Sequence, residues 1–298
     1  MVVTVRPIPM SLEILTYGFI QRALISGIII AVICSIIGLF LVLKRHSLFG
    51  DAMSHVAFGG IAIGLYANVY PLWTAFIVSV LAGLGMTKLR EVAKIPSDSA
   101  VAVLLSSGLA IGIVLISLSG GFNLDLFSFL FGSILLVSLQ DLIMISAVSG
   151  LVLLTMSLIY KKLTYITFDE EQAAVGGLNV RNINYLFIVI ASVTVIASIR
   201  LVGVLLISSL IVLPNITALA MGKGFKKTAL ISCGISIGSV IAGIIVSYFA
   251  NIAPSGAVVL TETMIFLIAL SGRFLINKNR QTKSKIESTM DLENGPRK

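Results

Sequence analysis

Nine apolar runs, most of them close to 20 residues long, limit what this chain can become. They lie near 17–43, 51–67, 71–89, 99–118, 140–160, 183–199, 201–221, 229–250 and 257–276. A helix rises roughly 1.5 Å per residue, so about 20 apolar residues cross the hydrocarbon of a bilayer. A soluble domain has no place for so many such runs. Of 298 residues, 57% are hydrophobic and only 11% are charged, well outside the balance of a soluble domain. The expectation is an all-α polytopic membrane protein with eight to nine transmembrane helices. The first run is long enough to begin as an interfacial helix, and the run 201–221 is open to a break. A further stretch, 124–137, is apolar but too short to cross, and predicts a re-entrant or surface helix.

The basic residues orient these runs. Lys44 and Arg45, then Lys88, Arg90 and Lys94, then Lys161, Lys162 and Arg181, then Lys223, Lys226 and Lys227 fill alternate connectors. The connectors 67–71, 119–139 and 250–257 hold no Lys or Arg. By the positive-inside rule the basic connectors and the basic C-terminus face the cytoplasm. Arg6 and Arg22 sit awkwardly with an outside N-terminus, and that side stays open. The net charge of +8 therefore reports topology and gives no reason to expect a nucleic-acid partner. No cleavable signal peptide is expected, because no small-residue cleavage pattern follows the first run. Cys34 and Cys233 fall in separate runs without CxxC spacing, as small hydrophobes do. One membrane domain is expected over 1–276, followed by a polar, disordered cytoplasmic tail over 277–298.

One turn of helix carries most of the chemistry. In Gly50-Asp51-Ala52-Met53-Ser54-His55 an acid and an imidazole stand four residues apart, so a helix turns both to one face. Ionisable groups in a bilayer helix are costly and usually mark a pathway or a site. Carboxylate with imidazole is a ligand set for a borderline divalent cation such as zinc or manganese. Counting from Lys44 and Arg45, the pair would lie roughly 10–16 Å along a helix, inside the membrane if that connector sits at its surface. Phe58, Gly59 and Ala62 continue the Asp/His face. Gly60 and Gly64 lie opposite, at a spacing that lets a neighbouring helix approach closely. Two ligands per chain fall short of the four zinc prefers, so a two-fold pair of chains would complete the set. The competing reading is a buried structural hydrogen bond between Asp51 and His55. His46, in a basic connector, is expected to be solvated.

A second element lies in the basic connector that follows the fifth run. Across 167–177, Thr167 with Glu170 or Asp169 with Gln172 fits an N-terminal capping box, and Gly176 or Gly177 fits the stop. A helix of about two turns is marginal by itself and needs a surface to dock on. On the cytoplasmic face of a transporter, such a helix is where a motor subunit could push; an ordinary amphipathic connector is the alternative. The remaining charges have plain readings. Asp125 and Asp141 are expected to be solvated beside the short outer segment, and Arg200 and Glu262 to snorkel or pair near outer helix ends. A vestibule lined by Asp125, Asp141 and Glu262 is a weaker alternative.

With both elements in view, the chain resembles the permease subunits of the ABC-3 family of bacterial and archaeal zinc and manganese importers. The resemblance rests on LVLKRHSLFGDAMSHVAFGGIAIG (41–64), SFLFGSILLVSLQDL (128–142), YITFDEEQAAVGGLNV (165–180), RLVGVLLISSLIVLPNITALA (200–220) and APSGAVVL (253–260). It implies a helical bundle of the type II ABC importer kind, like the larger vitamin B12 and siderophore permeases. It further implies a cell-membrane protein that works as a homodimer on two separate ATPase subunits, fed by an extracellular metal-binding protein. The family's pore motif falls on Asp51 and His55, the implied transient metal ligands. Its coupling helix falls on Asp169, Glu170, Glu171, Ala173, Ala174 and Gly177. Pro214 falls on the family's helix-breaking proline, and Asn215, where a small residue is usual, is a possible pore-lining group or a helix–helix hydrogen bond.

The chain itself is not expected to be an enzyme, nor to hold a permanent cofactor; zinc or manganese would be its cargo. Gly222-Lys223-Gly224 makes no phosphate-binding Walker loop, so ATP would be bound elsewhere. An intramembrane metalloenzyme lacks support, since HExxH is missing and the chain has 2 histidines. An ion-gradient-driven secondary transporter is the alternative, with Asp51 as a proton or sodium relay. Paired inverted repeats, common in such proteins, are not evident, and the short capped helix would have no role. Aspartate with histidine slightly favours zinc over manganese, and iron is not excluded.

Overall fold

The structure, a computed structural model, describes residues 17–118, 132, 137–204 and 206–293. Ten helices make up the described residues: α1 (Gly18–Leu43), α2 (Phe49–Tyr66), α3 (Pro71–Ala93), α4 (Ser97–Leu118), α5 (Leu139–Phe168), α6 (Glu170–Val175), α7 (Val180–Val202), α8 (Ile207–Ala220), α9 (Phe225–Ala250) and α10 (Pro254–Glu293). Arg6, Asp125 and nearly all of the segment 124–137 lie outside the described residues, as does the side chain of Arg200.

Among these helices seven are long and apolar enough to cross a membrane: α1, α3, α4, α5, α7, α9 and α10. That is fewer than the eight to nine spans expected, and the two remaining segments differ for separate reasons. Helix α2 has 18 residues but carries Asp51 and His55 in its first turns, which lower its hydropathy. The run 201–221 does not form one helix. Gly203, at φ 83°, ends α7, and the chain resumes as the 14-residue α8, too short to span. The break therefore lies upstream of Pro214, which sits inside α8.

The bundle has two parts joined by α7. Helices α3 and α4 clasp α2, while α1 contacts α5, α7, α8 and α9, and α9 with α8 carries α10. Helix α7 reaches α2 and α3 on one side and α1 and α5 on the other. At the basic end, Phe40 of α1 meets Tyr160 of α5, Phe187 of α7 and Phe225 of α9 with ring centroids 5.5–6.3 Å apart. These edge-on and tilted contacts lock the ends of four helices together.

Several charges expected at the surface have structural duties instead. Asp141 is 7% exposed and completes a capping box: Ser138 caps α5 while the Asp141 carboxylate accepts from the Ser138 backbone and hydroxyl. Glu262, on α10, is 1% exposed, so neither acid lines an open vestibule. Arg22 donates from Nε to the Val137 carbonyl at 3.0 Å, which explains a cation at that end of α1. The polar stretch after 276 also departs from expectation. It continues α10 to Glu293, because Lys, Arg, Gln, Glu and Ile favour helix and no Gly or Pro intervenes before Gly295.

Candidate metal centre and docking helix

Helix α2 starts with Asp51 and His55, the candidate ligand pair. The turn Lys44–Leu48 follows α1, with Arg45 at φ 59°, and α2 begins at Phe49, so Asp51 falls in its first turn. A carboxylate is favoured there by the N–H groups left free at a helix start. One turn later, His55 Nε2 stands 3.6 Å from Asp51 Oδ1, with side-chain exposures of 18% and 32%. That separation is longer than an ordinary N–H···O hydrogen bond. Two donors on one tetrahedral ion, each about 2.0–2.1 Å from it, stand roughly 3.3–3.4 Å apart. The pair is spaced for a shared cation more nearly than for a direct bond. His55 Nδ1 is buried without a hydrogen-bond partner, which leaves Nε2 as the nitrogen a ligand can reach. No group of three or more His, Cys, Asp or Glu able to hold a metal occurs among the described residues, so one chain offers two such ligands here.

Neighbouring glycines fix where that turn sits. A Cβ on Gly60 would stand 2.6 Å from Ala75 Cα, and one on Gly64 2.8 Å from Pro71 Cα, so α3 packs on the face the GxxxG spacing marks. Sequence reasoning missed the other contact. On α4, a Cβ at Gly108 would stand 2.7 Å from Val56 N and 2.9 Å from His55 C, and one at Gly59 would stand 2.8 Å from the Gly108 carbonyl. Backbone meets backbone there, and the crossing holds His55 in place. The face that Phe58 and Ala62 were expected to offer to a pore is closed: both are buried within the chain. Asp51 and His55 in the first turns are partly exposed, and the helix opens again only at its far end, at Tyr66.

Asn215 belongs to a different kind of place. It is fully buried; its Nδ2 donates to Ile211 O at 2.7 Å, and its Oδ1 accepts from Ser232 at 2.7 Å. Ser35 of α1 then donates to Ser232 at 2.9 Å. Asn215 is a tie between α8, α9 and α1, and the pore-lining option is set aside for this reason.

Of the two start signals near 167, the chain uses Asp169. Its carboxylate accepts from Gln172 N at 2.9 Å and caps α6, whereas Thr167 bonds back to Leu163 O within α5. At the far end Leu178 N donates to Ala173 O and Gly177 N to Ala174 O, with Gly177 at φ 81°. That is a Schellman stop, and it explains the glycine. Helix α6 has 6 residues, fewer than the two turns expected. Ala173 is buried beneath it while Glu171, Gln172, Ala174 and Val175 face outward. Glu170, also exposed, bonds sideways to α7: it accepts from Asn184 Nδ2 at 3.0 Å, and Asn184 accepts from Lys44 Nζ at 2.6 Å. The helix is thereby tied to the turn that launches α2.

His46, in the same turn, is buried and not solvated as expected. Arg90 Nη1 lies 3.1 Å from its Nε2. Arginine only donates, so Nε2 accepts and the neutral ring carries its proton on Nδ1. Burial, then the charges of Arg90 and Lys44, push His46 down to about 4.

Comparison with known proteins adds to this geometry. The model of the ABC 3 transport family matches residues 16–273. A "Probable metal transport system membrane protein" of Treponema pallidum is 35% identical over 257 residues, covering 86% of this chain and 96% of that protein. The "Manganese import system permease protein ScaB" of Streptococcus gordonii is 33% identical over 271 residues, covering 91% and 96%. Among solved structures, PsaBC from Streptococcus pneumoniae in complex with Fab superposes with a TM-score of 0.77 at 30% identity, covering 86% of this chain and 92% of that one.

Proposed function

The chain belongs to the ABC 3 transport family, and from that premise we propose that it is the membrane permease subunit of an ATP-driven importer of a divalent metal cation. The observation that carries the reading is the pair Asp51–His55: partly exposed, one turn apart, spaced for a common ion, at the head of a helix whose middle is buried in an apolar bundle. Two copies of the chain related by a dyad would bring two carboxylates and two imidazoles together. A transit site must release its ion, so two neutral or hard donors per chain serve better than thiolates, which suit closed, tightly held sites. The outward face of α6 is where a separate ATPase subunit would dock, and the Glu170–Asn184–Lys44 contacts give its movement a route to the start of α2. An extracellular binding protein would deliver the ion. Manganese is the first candidate for cargo, since the streptococcal relative is named for it. Zinc follows, because the same donors suit both metals.

The test is metal accumulation in cells carrying the assembled transporter with Asp51→Ala and His55→Ala together. Uptake is expected to fall at least about 100-fold, because even outer-shell partners of metal ligands are worth tenfold to 100-fold. Both side chains are partly exposed, so folding and ATPase association are expected to stay intact. Unchanged accumulation in that double variant would refute the transit role.

A further inference from the structure

The basic end of the bundle contains a cavity of about 510 Å³ between α1, α3, α5, α6 and α7, and four basic residues line it: Lys44, Arg45, Arg90 and Lys94. Topology alone does not explain them. Positive-inside orientation needs a count of basic residues in a connector, not their convergence on one hollow. Nor does an ion pair within the fold. Only two ion pairs occur among the described side chains, Asp51 with His55 and Arg181 with Glu91, so none of the four cations has a carboxylate within 4.0 Å. The two acids on the wall are engaged elsewhere. Glu91 takes Arg181 at 3.6 Å and the Tyr185 hydroxyl at 3.2 Å, and Glu170 accepts from Asn184. His46, the fifth basic residue on the wall, is neutral and spends its Nε2 on Arg90.

These cations are held close at a cost. Lys44 and Arg90 are partly buried, and burial lowers Lys44 to about 8, Arg90 assisting and Glu170 opposing. Arg45 and Lys94 both take a left-handed backbone conformation, at φ 59° and 50°. Lys44 gives one of its three protons to Asn184 and lies over the Phe187 ring; the side chains of Arg45 and Lys94 make no hydrogen bond among the described residues.

We propose that this cavity is an anion site for a phosphate-bearing group, held by Lys44, Arg45, Arg90 and Lys94. A phosphate offers several strong acceptor oxygens to converging cations, and arginine binds it in a two-pronged fashion. The cavity opens at the end of the bundle where membrane headgroups lie, and basic pockets between transmembrane helices on that face take anionic headgroups. Free phosphate shares the chemistry, so the experiment separates the two sources.

The full-length permease in neutral detergent is titrated with dioctanoyl phosphatidylglycerol, dioctanoyl phosphatidylcholine and inorganic phosphate. The permease carrying Arg45→Gln and Lys94→Gln is compared with one carrying Arg45→Lys and Lys94→Arg. Both positions are exposed and without partners, so folding is preserved. The native chain is expected to bind phosphatidylglycerol or phosphate at least about tenfold more tightly than the glutamine variant, with the charge-retaining variant close to native. Binding of phosphatidylglycerol but not phosphate assigns a lipid headgroup, and competition between the two assigns a free anion. Equal binding by the native and glutamine proteins, or no preference for phosphatidylglycerol over phosphatidylcholine together with no phosphate binding, would overturn the proposal. So would protection of Lys94 from acetylation by the ATPase subunit alone while neither anionic probe binds, because the hollow would then be a protein contact.

Discussion

Two polar clusters sit in the same apolar bundle and treat their hydrogen bonds in opposite ways. Where α1, α8 and α9 meet, Asn215 donates to Ile211 O and accepts from Ser232, Ser35 donates to Ser232, and Ser236 donates to Ala31 O. That cluster is closed, buried and complete. At the head of α2, Asp51 and His55 stand 3.6 Å apart, partly exposed, and His55 Nδ1 has no partner. In lipid an unmet polar group is expensive, so polar side chains are tolerated when they satisfy one another or when they serve a ligand. The first cluster holds helices together; the second is the one proposed to meet the arriving ion.

The largest effect that would sharpen this contrast comes from a glycine that never touches a ligand. Gly108→Ala forces a methyl against the backbone of Val56 and His55, where it would stand only 2.7 and 2.9 Å from Val56 N and His55 C. Helices α2 and α4 must separate, at about 1–3 kcal/mol for overpacking, and His55 moves with them. Uptake is expected to fall by about tenfold or more, mostly as a rise in the metal concentration needed. Tight packing with native transport would mean that His55 need not be held there.

A change in the closed cluster should do the reverse. Asn215→Leu leaves the buried Ser232 hydroxyl without its acceptor and is expected to lower stability by about 1–2 kcal/mol. Thermal denaturation in detergent reads that loss, while transport per folded molecule stays near native. A selective loss of transport at normal stability would move Asn215 from the packing cluster to the pathway.

The last effect is one of pH. His46 is held at about 4 in the folded chain against 6.5 in the unfolded one. A depressed value means that the unfolded chain takes up the proton first, so stability declines as pH falls from about 6.5 towards 4. His46→Gln should flatten that decline in denaturation measured across this range. An unchanged slope would show that the His46–Arg90 contact is not a pH-sensitive support of the turn before α2.

How much of this was legible in sequence follows from the range of each contact. The Asp51–His55 pair is local, four residues in one helix, so spacing alone puts both on one face. The same is true of the Gly60–Gly64 stripe and of the Asp169 cap with its Gly177 stop. The Gly108 crossing was legible only in part: Gly108 and Gly112 have the spacing that marks a close approach, but nothing local names the helix, some 50 residues away, that fills it. The surface placement of Asp141 and Glu262 failed for a related reason: an acid's position in a run does not say whether a cap or neighbouring helices enclose it. The run 201–221 shows hydropathy without geometry, since one glycine at φ 83° divides what composition reads as continuous.

The account turns on whether the cation in transit touches His55. Electron spin echo modulation spectroscopy of the assembled transporter, trapped with manganese(II), reads nitrogen nuclei bonded to the ion. Imidazole nitrogen modulation is expected from the native protein, and its disappearance in His55→Ala. A manganese signal with no nitrogen coupling, or one identical in the variant, would contradict the claim that this turn of α2 carries the ion.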